Sequence, residues 1–576
     1  MPQPLPPISV RKAGGILTYW NIVAALLVLG LVVFLAEASR GVSQSLAELR
    51  MTPVSLDPAN LPNYAARTSL RMLVAMLLSL LFTFSYATWA ARSRRAEMLL
   101  IPLLDILQSV PILGFLSVTV VFFMSLAPGR VLGAEFAAVF AIFTSQAWNM
   151  AFSFYQSLRT VPDDLVEAAR TFGLSSWRRF WRLDVPFAMP PLVWNMMVSM
   201  SGGWFFVVAS EAISVGDTTV TLPGIGSYIE LAIERRDLVS VGWAIGAMLI
   251  VILIYDQLLF RPLVAWADHF RFEQEGGIQP PHAWALTMWR RSWLGDLLKG
   301  SSNFVLRRGD QLLRKLGNRS KTNLRYAWMP WLDRAWYAIV AALAALTCWK
   351  IWAFISPAVS AADLIDVSLL GLATMLRVFV LIAIASAIWV PVGIWIGLRP
   401  RVATLAQPIA QFLAAFPANL FFPIVVSGIV ALKLNPNIWL SPLMILGTQW
   451  YILFNVIAGA STIPSELRDA GTNLGVHGWL WWRKIALPAV LPFYVTGAIT
   501  ASGGSWNASI VAEVANWGDQ HLQARGLGAY IAQATTAGDY HRIVLGIAVM
   551  SAFVVLINRG FWRPLYEYAE RRFRLS

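Results

Sequence analysis

Glu167-Ala168-Ala169-Arg170-Thr171-Phe172-Gly173 and, 302 residues further on, Asp469-Ala470-Gly471-Thr472-Asn473-Leu474-Gly475 are the stretches on which the reading of this sequence turns. Pro162-Asp163-Asp164 and Pro464-Ser465-Glu466 precede them. A proline followed by short polar or acidic residues starts a helix, because those side chains satisfy its free amides. Small residues at the centre of each stretch let another protein's surface come close to the backbone. Gly173 and Gly475 then end the helix by permitting a left-handed backbone. Basic, tryptophan-rich segments follow at 177–182 and 479–484, and Pro186 and Pro488 lead into long apolar runs. A short helix fixed to spans on both sides can pass a rocking motion from a partner below it. An ordinary helical loop would account for one copy; two copies at matched positions argue for a shared task.

Composition places these helices in a membrane protein. The 576-residue chain is 57% hydrophobic and only 13% charged, against about a quarter charged in soluble proteins. Its apolar runs repeatedly reach about 20 residues, the length that crosses a hydrocarbon core. The fold class is therefore an all-α integral membrane protein, and the 27 tryptophans suit interfacial belts. The net charge of +14 sits in loops between spans, at Arg92, Arg94, Arg95, Arg178, Arg179, Arg182, Arg399 and Arg401, between 269 and 334, and in the tail. That pattern marks the cytoplasmic side and is not the basic stripe with stacking aromatics that nucleic acid would need. The single cysteine, Cys348, excludes disulfides within the chain, and the five histidines have no metal-ligand spacing. No catalytic group and no metal site is expected, and the membrane lipids themselves are partners.

The spans are read at 16–36, 66–91, 97–124, 134–158, 187–210 and 238–262, then at 332–356, 368–397, 404–431, 438–460, 489–512 and 541–561. About twelve spans with basic tails put both termini in the cytoplasm. From the fourth span onward the halves match at an offset of 302: Trp148 with Trp450, Pro186 with Pro488, Trp204 with Trp506, Glu211 with Glu513 and Tyr228 with Tyr530. Earlier the offset is 306, pairing Arg71 with Arg377, Pro102 with Pro408 and Pro111 with Pro417. Six spans per half keep the orientation, so the repeats are parallel, with a pathway expected between them. The organisation is 1–262, a first repeat; 263–330, a cytoplasmic amphipathic linker lying on the membrane or tethering through solvent; and 331–576, a second repeat.

The paired stretches resemble the EAA coupling loop of type I, binding-protein-dependent ABC importer permeases. The first copy keeps the Glu-Ala-Ala…Gly core; the second has Asp469 for glutamate and Gly471 for the second alanine. Ser69-Leu70-Arg71-Met72-Leu73, Val208-Ala209-Ser210-Glu211, Leu222-Pro223-Gly224-Ile225-Gly226-Ser227-Tyr228-Ile229 and Gly526-Leu527-Gly528-Ala529-Tyr530-Ile531 look like the nitrate/sulfonate/taurine/bicarbonate branch. The resemblance implies two fused permease halves of the type I ABC permease fold in a bacterial inner membrane. It implies that Glu167, Ala168, Ala169 and Gly173, and Asp469, Ala470, Gly471 and Gly475, dock on two copies of a separate ATP-binding subunit. ATP and Mg would be held by those subunits, a substrate-binding protein would deliver cargo, and the cargo would be a small oxyanion. The chain itself offers only a failed phosphate loop, 317–322, where Ser320 stands in place of the glycine before Lys321.

For the pathway, Arg71 and Arg377 form an electropositive entrance for an anion, snorkel to the outer phosphates, or pair with Glu211 and Glu513, since charge at membrane depth must line a wet path or be paired. Gln108, Gln146, Asn149, Gln449 and Asn455 either line the path or join helices. Pro111 and Pro417 are expected to bend the third span of each half, and Gly393 with Gly397 to form a packing face. The rival reading is an ion-coupled secondary transporter or channel with duplicated halves.

Overall fold

The structure is a computed structural model that describes residues 19–39, 44–46, 53–215, 218–267, 270, 288, 292, 308, 311 and 330–573. The expected linker at 263–330 lies almost wholly outside them. Among the described residues, eight helices are long and apolar enough to cross a membrane, or up to ten when two bent pairs each count as one span.

The third apolar stretch of each half breaks at the proline expected to bend it, Pro111 and Pro417. The third apolar stretch of the first half is two helices, Arg94–Ser109 and Ile112–Leu126, bent by 93°. Pro111 has no amide to donate and crowds the preceding turn. It also pushes Val110 into an extended backbone (φ −78°, ψ 127°). The second half breaks the same way: Pro400–Ala415 ends before Phe416, which is extended ahead of Pro417, and Phe422–Ala431 resumes after a tight turn. A second bent pair, at 44°, joins Pro436–Met444 to Gln449–Ser461.

The described residues divide into two compact units: those within 1–38, 160–193 and 254–327 form one, and those within 39–159, 194–253 and 328–576 the other. Within the larger unit the same helix pair recurs. Leu61–Arg92 packs along Val131–Arg159, and Ala361–Gly397 packs along Gln449–Ser461. Lipid supplies little hydrophobic drive between helices, so close backbone approach through small residues matters. A Cβ at Gly393 would stand 2.6 Å from Val456, and one at Gly397 2.6 Å from the Ala460 methyl. Trp204 and Trp506 are both fully enclosed, at matched positions. After each long fifth-span helix, Val185–Glu211 and Leu487–Ala512, comes a two-stranded antiparallel hairpin. Ala212 pairs with Thr221 in the first and Val514 with Gln523 in the second, the same register 302 residues apart.

Candidate functional site

The two quoted stretches fold alike. Asp163–Thr171 and Ser465–Asn473 are nine-residue helices, each entered from a proline in extended conformation. Each closes with a left-handed glycine, Gly173 at φ 62° and Gly475 at φ 66°. The amides just beyond reach back to Ala169 O from Leu174 (3.1 Å) and to Gly471 O from Val476 (2.9 Å), satisfying the last carbonyls. One short turn of helix follows, and then a five-residue stretch of wider turns in which Val185 N donates to Phe180 O and Leu487 N to Trp482 O. Wider turns of this kind recur at functional positions in helices.

Glu167, Asp469, Ala168 and Ala470 are exposed, whereas Ala169 and Gly471 are buried. This corrects the expectation that both small residues lie open to a partner. A Cβ at Gly471 would fall 2.6 Å from Ile485 Cδ1, so the chain's own packing is what demands a small residue there. Sequence reasoning missed Phe172 and Leu474, apolar side chains 81% and 79% exposed at matched positions. Their signal was present: a lone large apolar residue just before the stop glycine of a polar helix, twice.

Arg71 and Arg377 belong to buried clusters and do not line the central cavity. Arg71 meets Glu135 through two parallel bonds, Nε to Oε2 at 2.6 Å and Nη2 to Oε1 at 2.7 Å, and donates from Nη1 to Glu211 at 2.7 Å. Such a fork-to-fork pairing fixes geometry as well as energy. Thr68 donates to the same Glu211 oxygen at 2.6 Å while accepting from Ile225 N, and Gly226 N donates to the other oxygen at 2.6 Å. In the second half Thr374, Arg377 and the amide of Ala529 surround Glu513 in the same way, at 2.8, 3.0 and 3.0 Å. The Leu-Pro-Gly-Ile-Gly stretch is thereby explained. A Cβ at Gly224 or Gly526 would overlap the carboxylate it encloses, and one at Gly226 or Gly528 would overlap the backbone of the preceding long helix.

A cavity of about 380 Å³ lies between the repeats of the larger unit. Gln108 and Asn149 line it and are bonded to each other, Nε2 to Oδ1 at 2.8 Å. Gln146, Gln449 and Asn455 do not, because each amide is engaged inside the helix packing. Gln146 donates to Met72 Sδ, Gln449 accepts from Trp389 Nε1 (2.9 Å), and Asn455 donates to Tyr451 O (2.8 Å). The lining also includes Ser201 and Tyr451, whose hydroxyls join the two repeats at 3.1 Å, together with Thr448, Thr500 and Asn507. None of these was picked from the sequence. Among the described residues the lining has no acidic, basic or histidine side chain.

The family model for the binding-protein-dependent transport system inner membrane component matches twice, over residues 64–263 and 389–574. The bicarbonate transport system permease protein CmpB of Synechococcus elongatus is 29% identical over 188 residues, 33% of this chain and 64% of that protein. The glycine betaine/carnitine transport permease protein GbuB of Listeria monocytogenes is 28% identical over 189 residues, covering 32% of this chain and 61% of that protein. The nitrate import permease protein NrtB of Leptolyngbya laminosa is 26% identical over 186 residues, covering 32% and 63%. The matched region thus spans somewhat under two thirds of each relative's length.

Proposed function

This chain belongs to the binding-protein-dependent transport system inner membrane component family, and we propose that it is the permease of an ATP-driven importer, with both permease halves in one polypeptide. The observation that carries the reading is the coincidence of two family matches with one copy each of the same capped, exposed-ended short helix. Two separate ATP-binding subunits, holding ATP and Mg, dock on those helices from the cytoplasmic side. Glu167, Ala168, Asp469 and Ala470 meet them, with Phe172 and Leu474 as apolar knobs. Ala169 and Gly471 seat each helix, and Gly173 and Gly475 shape its end. ATP biases the permease between two states only through contacts that differ between those states, and these helices are where such contacts form. The cavity is the pathway, with Gln108 and Asn149 on its wall. A substrate-binding protein delivers a small solute to the opposite side, in keeping with relatives named for bicarbonate, nitrate and betaine transport.

The test is co-expression with the ATP-binding subunits encoded beside it, followed by uptake of bicarbonate, nitrate, taurine and glycine betaine into proteoliposomes. ATP-dependent accumulation of one of them is expected. Phe172→Asp with Leu474→Asp should lower coupled uptake at least tenfold while the chain still inserts. Accumulation without any ATP-binding subunit would overturn the proposal.

A further inference from the structure

We infer that the cavity holds its cargo off the pseudo-twofold axis, with the cargo's oxygen acceptors against one wall of neutral amide and hydroxyl donors. The inference rests on the permease reading and deepens it. The repeat offsets pair lining residues with their symmetry counterparts, and both members of eight unlike pairs line the cavity; five of these set an amide or hydroxyl residue on the same wall against a less polar one. Gln108 answers to Ala414, Asn149 to Tyr451, Ser145 to Gly447, Asn507 to Phe205 and Thr500 to Val198.

These pairs sort by wall. On one side Ile112 N donates to Asn507 Oδ1 at 2.7 Å, tying the first repeat's third stretch to the second repeat's fifth helix. On the other, Asn419 Nδ2 donates to Phe205 O at 3.2 Å and Ser201 meets Tyr451. The first wall therefore carries all three amides of the five pairs, while the second presents mostly small, aliphatic and aromatic groups. The pair that runs the other way, Ser201 and Gly503, reinforces the inequality. The Ser201 hydroxyl is engaged with Tyr451, whereas a Cβ at Gly503 would meet nothing within 4 Å. Room is thus left beside the amides.

The chemistry points to oxygen acceptors. Primary amides and hydroxyls offer N–H and O–H donors. With Gln108 donating to Asn149 Oδ1, the Asn149 Nδ2 has no protein partner among the described residues. Among the described residues the lining has no carboxylate to repel an anion and no fixed cation to trap one, and conduction needs binding weak enough to release. A symmetric homodimer must place the same group on both walls; a fused chain is free to make them differ.

The experiment uses the complex in proteoliposomes on a Cys348→Ser background. Gln108→Leu with Asn149→Leu should reduce nitrate or bicarbonate uptake about tenfold or more, the loss of hydrogen bonds to a charged acceptor. Ser201→Ala with Tyr451→Phe should reduce it less than about threefold, the smaller effect of a neutral hydrogen bond. Independently of turnover, nitrate or bicarbonate should slow thiol labelling of Asn149→Cys and leave labelling of Tyr451→Cys unchanged. Equal losses in the two double variants or equal protection at both cysteines would overturn the inference. A wild-type complex that accumulates none of bicarbonate, nitrate, taurine and glycine betaine would defeat the permease reading, while the labelling result would still judge the site.

Discussion

The two arginine clusters share a plan and differ in how many carboxylates hold the arginine. Arg71 is held by two carboxylates and is 3% exposed. Arg377 has one carboxylate, with Asn437 at 3.4 Å where the first half has Glu135, and its side chain is 16% exposed. What the clusters have in common is the threonine, the enclosed glutamate and the glycine loop wrapped on it. That shared part is the joint between the long fifth-span helix and the hairpin that follows. The second carboxylate is a local addition that locks one joint harder than the other.

The comparison is broken most severely by Arg71→Ala. Removing one partner of a buried, hydrogen-bonded ion pair costs about 3–5 kcal/mol, and here two carboxylates lose their cation together. Arg377→Ala should cost clearly less, because that guanidinium is partly open to solvent. Denaturant unfolding in detergent would order the two, and equal losses would mean that the extra carboxylate contributes nothing. Glu135→Asn converts the first cluster into a copy of the second and should cost about 1.5–3 kcal/mol, the range of a hydrogen bond to a charged group. A loss as large as that of Arg71→Ala would count against treating Glu135 as an addition to a self-sufficient joint. The smallest effect is expected at the exposed pair linking the repeats, Arg236 to Asp519 at 2.9 Å, where Asp519 is 99% exposed. Arg236→Ala should change stability by no more than about 1 kcal/mol, and less in high salt.

The duplication was legible because identical residues with strong backbone or packing consequences recur at one offset: Trp204 and Trp506, Pro186 and Pro488, Gly173 and Gly475. The breaks at Pro111 and Pro417 were legible too, since proline acts through its own covalent geometry. The size of the bend, 93° in the first half, was not, as a run of apolar residues gives length but no direction. Which amide faces the cavity was not legible. A helix that is apolar on every side has no polar stripe to orient it. Gln146 and Asn149, three residues apart, therefore look equivalent although only Asn149 lines the space. Tyr451 was hidden among aromatics that suit membrane interfaces. The part played by Glu135 depends on Arg71, a residue 64 positions away on another helix, and no local pattern announces such a pairing.

On the proposed function, mechanical work enters this chain at two matched short helices. Single cysteines at Phe172→Cys and Leu474→Cys, each in a Cys348→Ser chain assembled with its ATP-binding subunits, test it by disulfide or short bifunctional cross-linking. Both positions are predicted to form an adduct with an ATP-binding subunit. An intact, ATP-hydrolysing complex in which neither position cross-links would contradict the account.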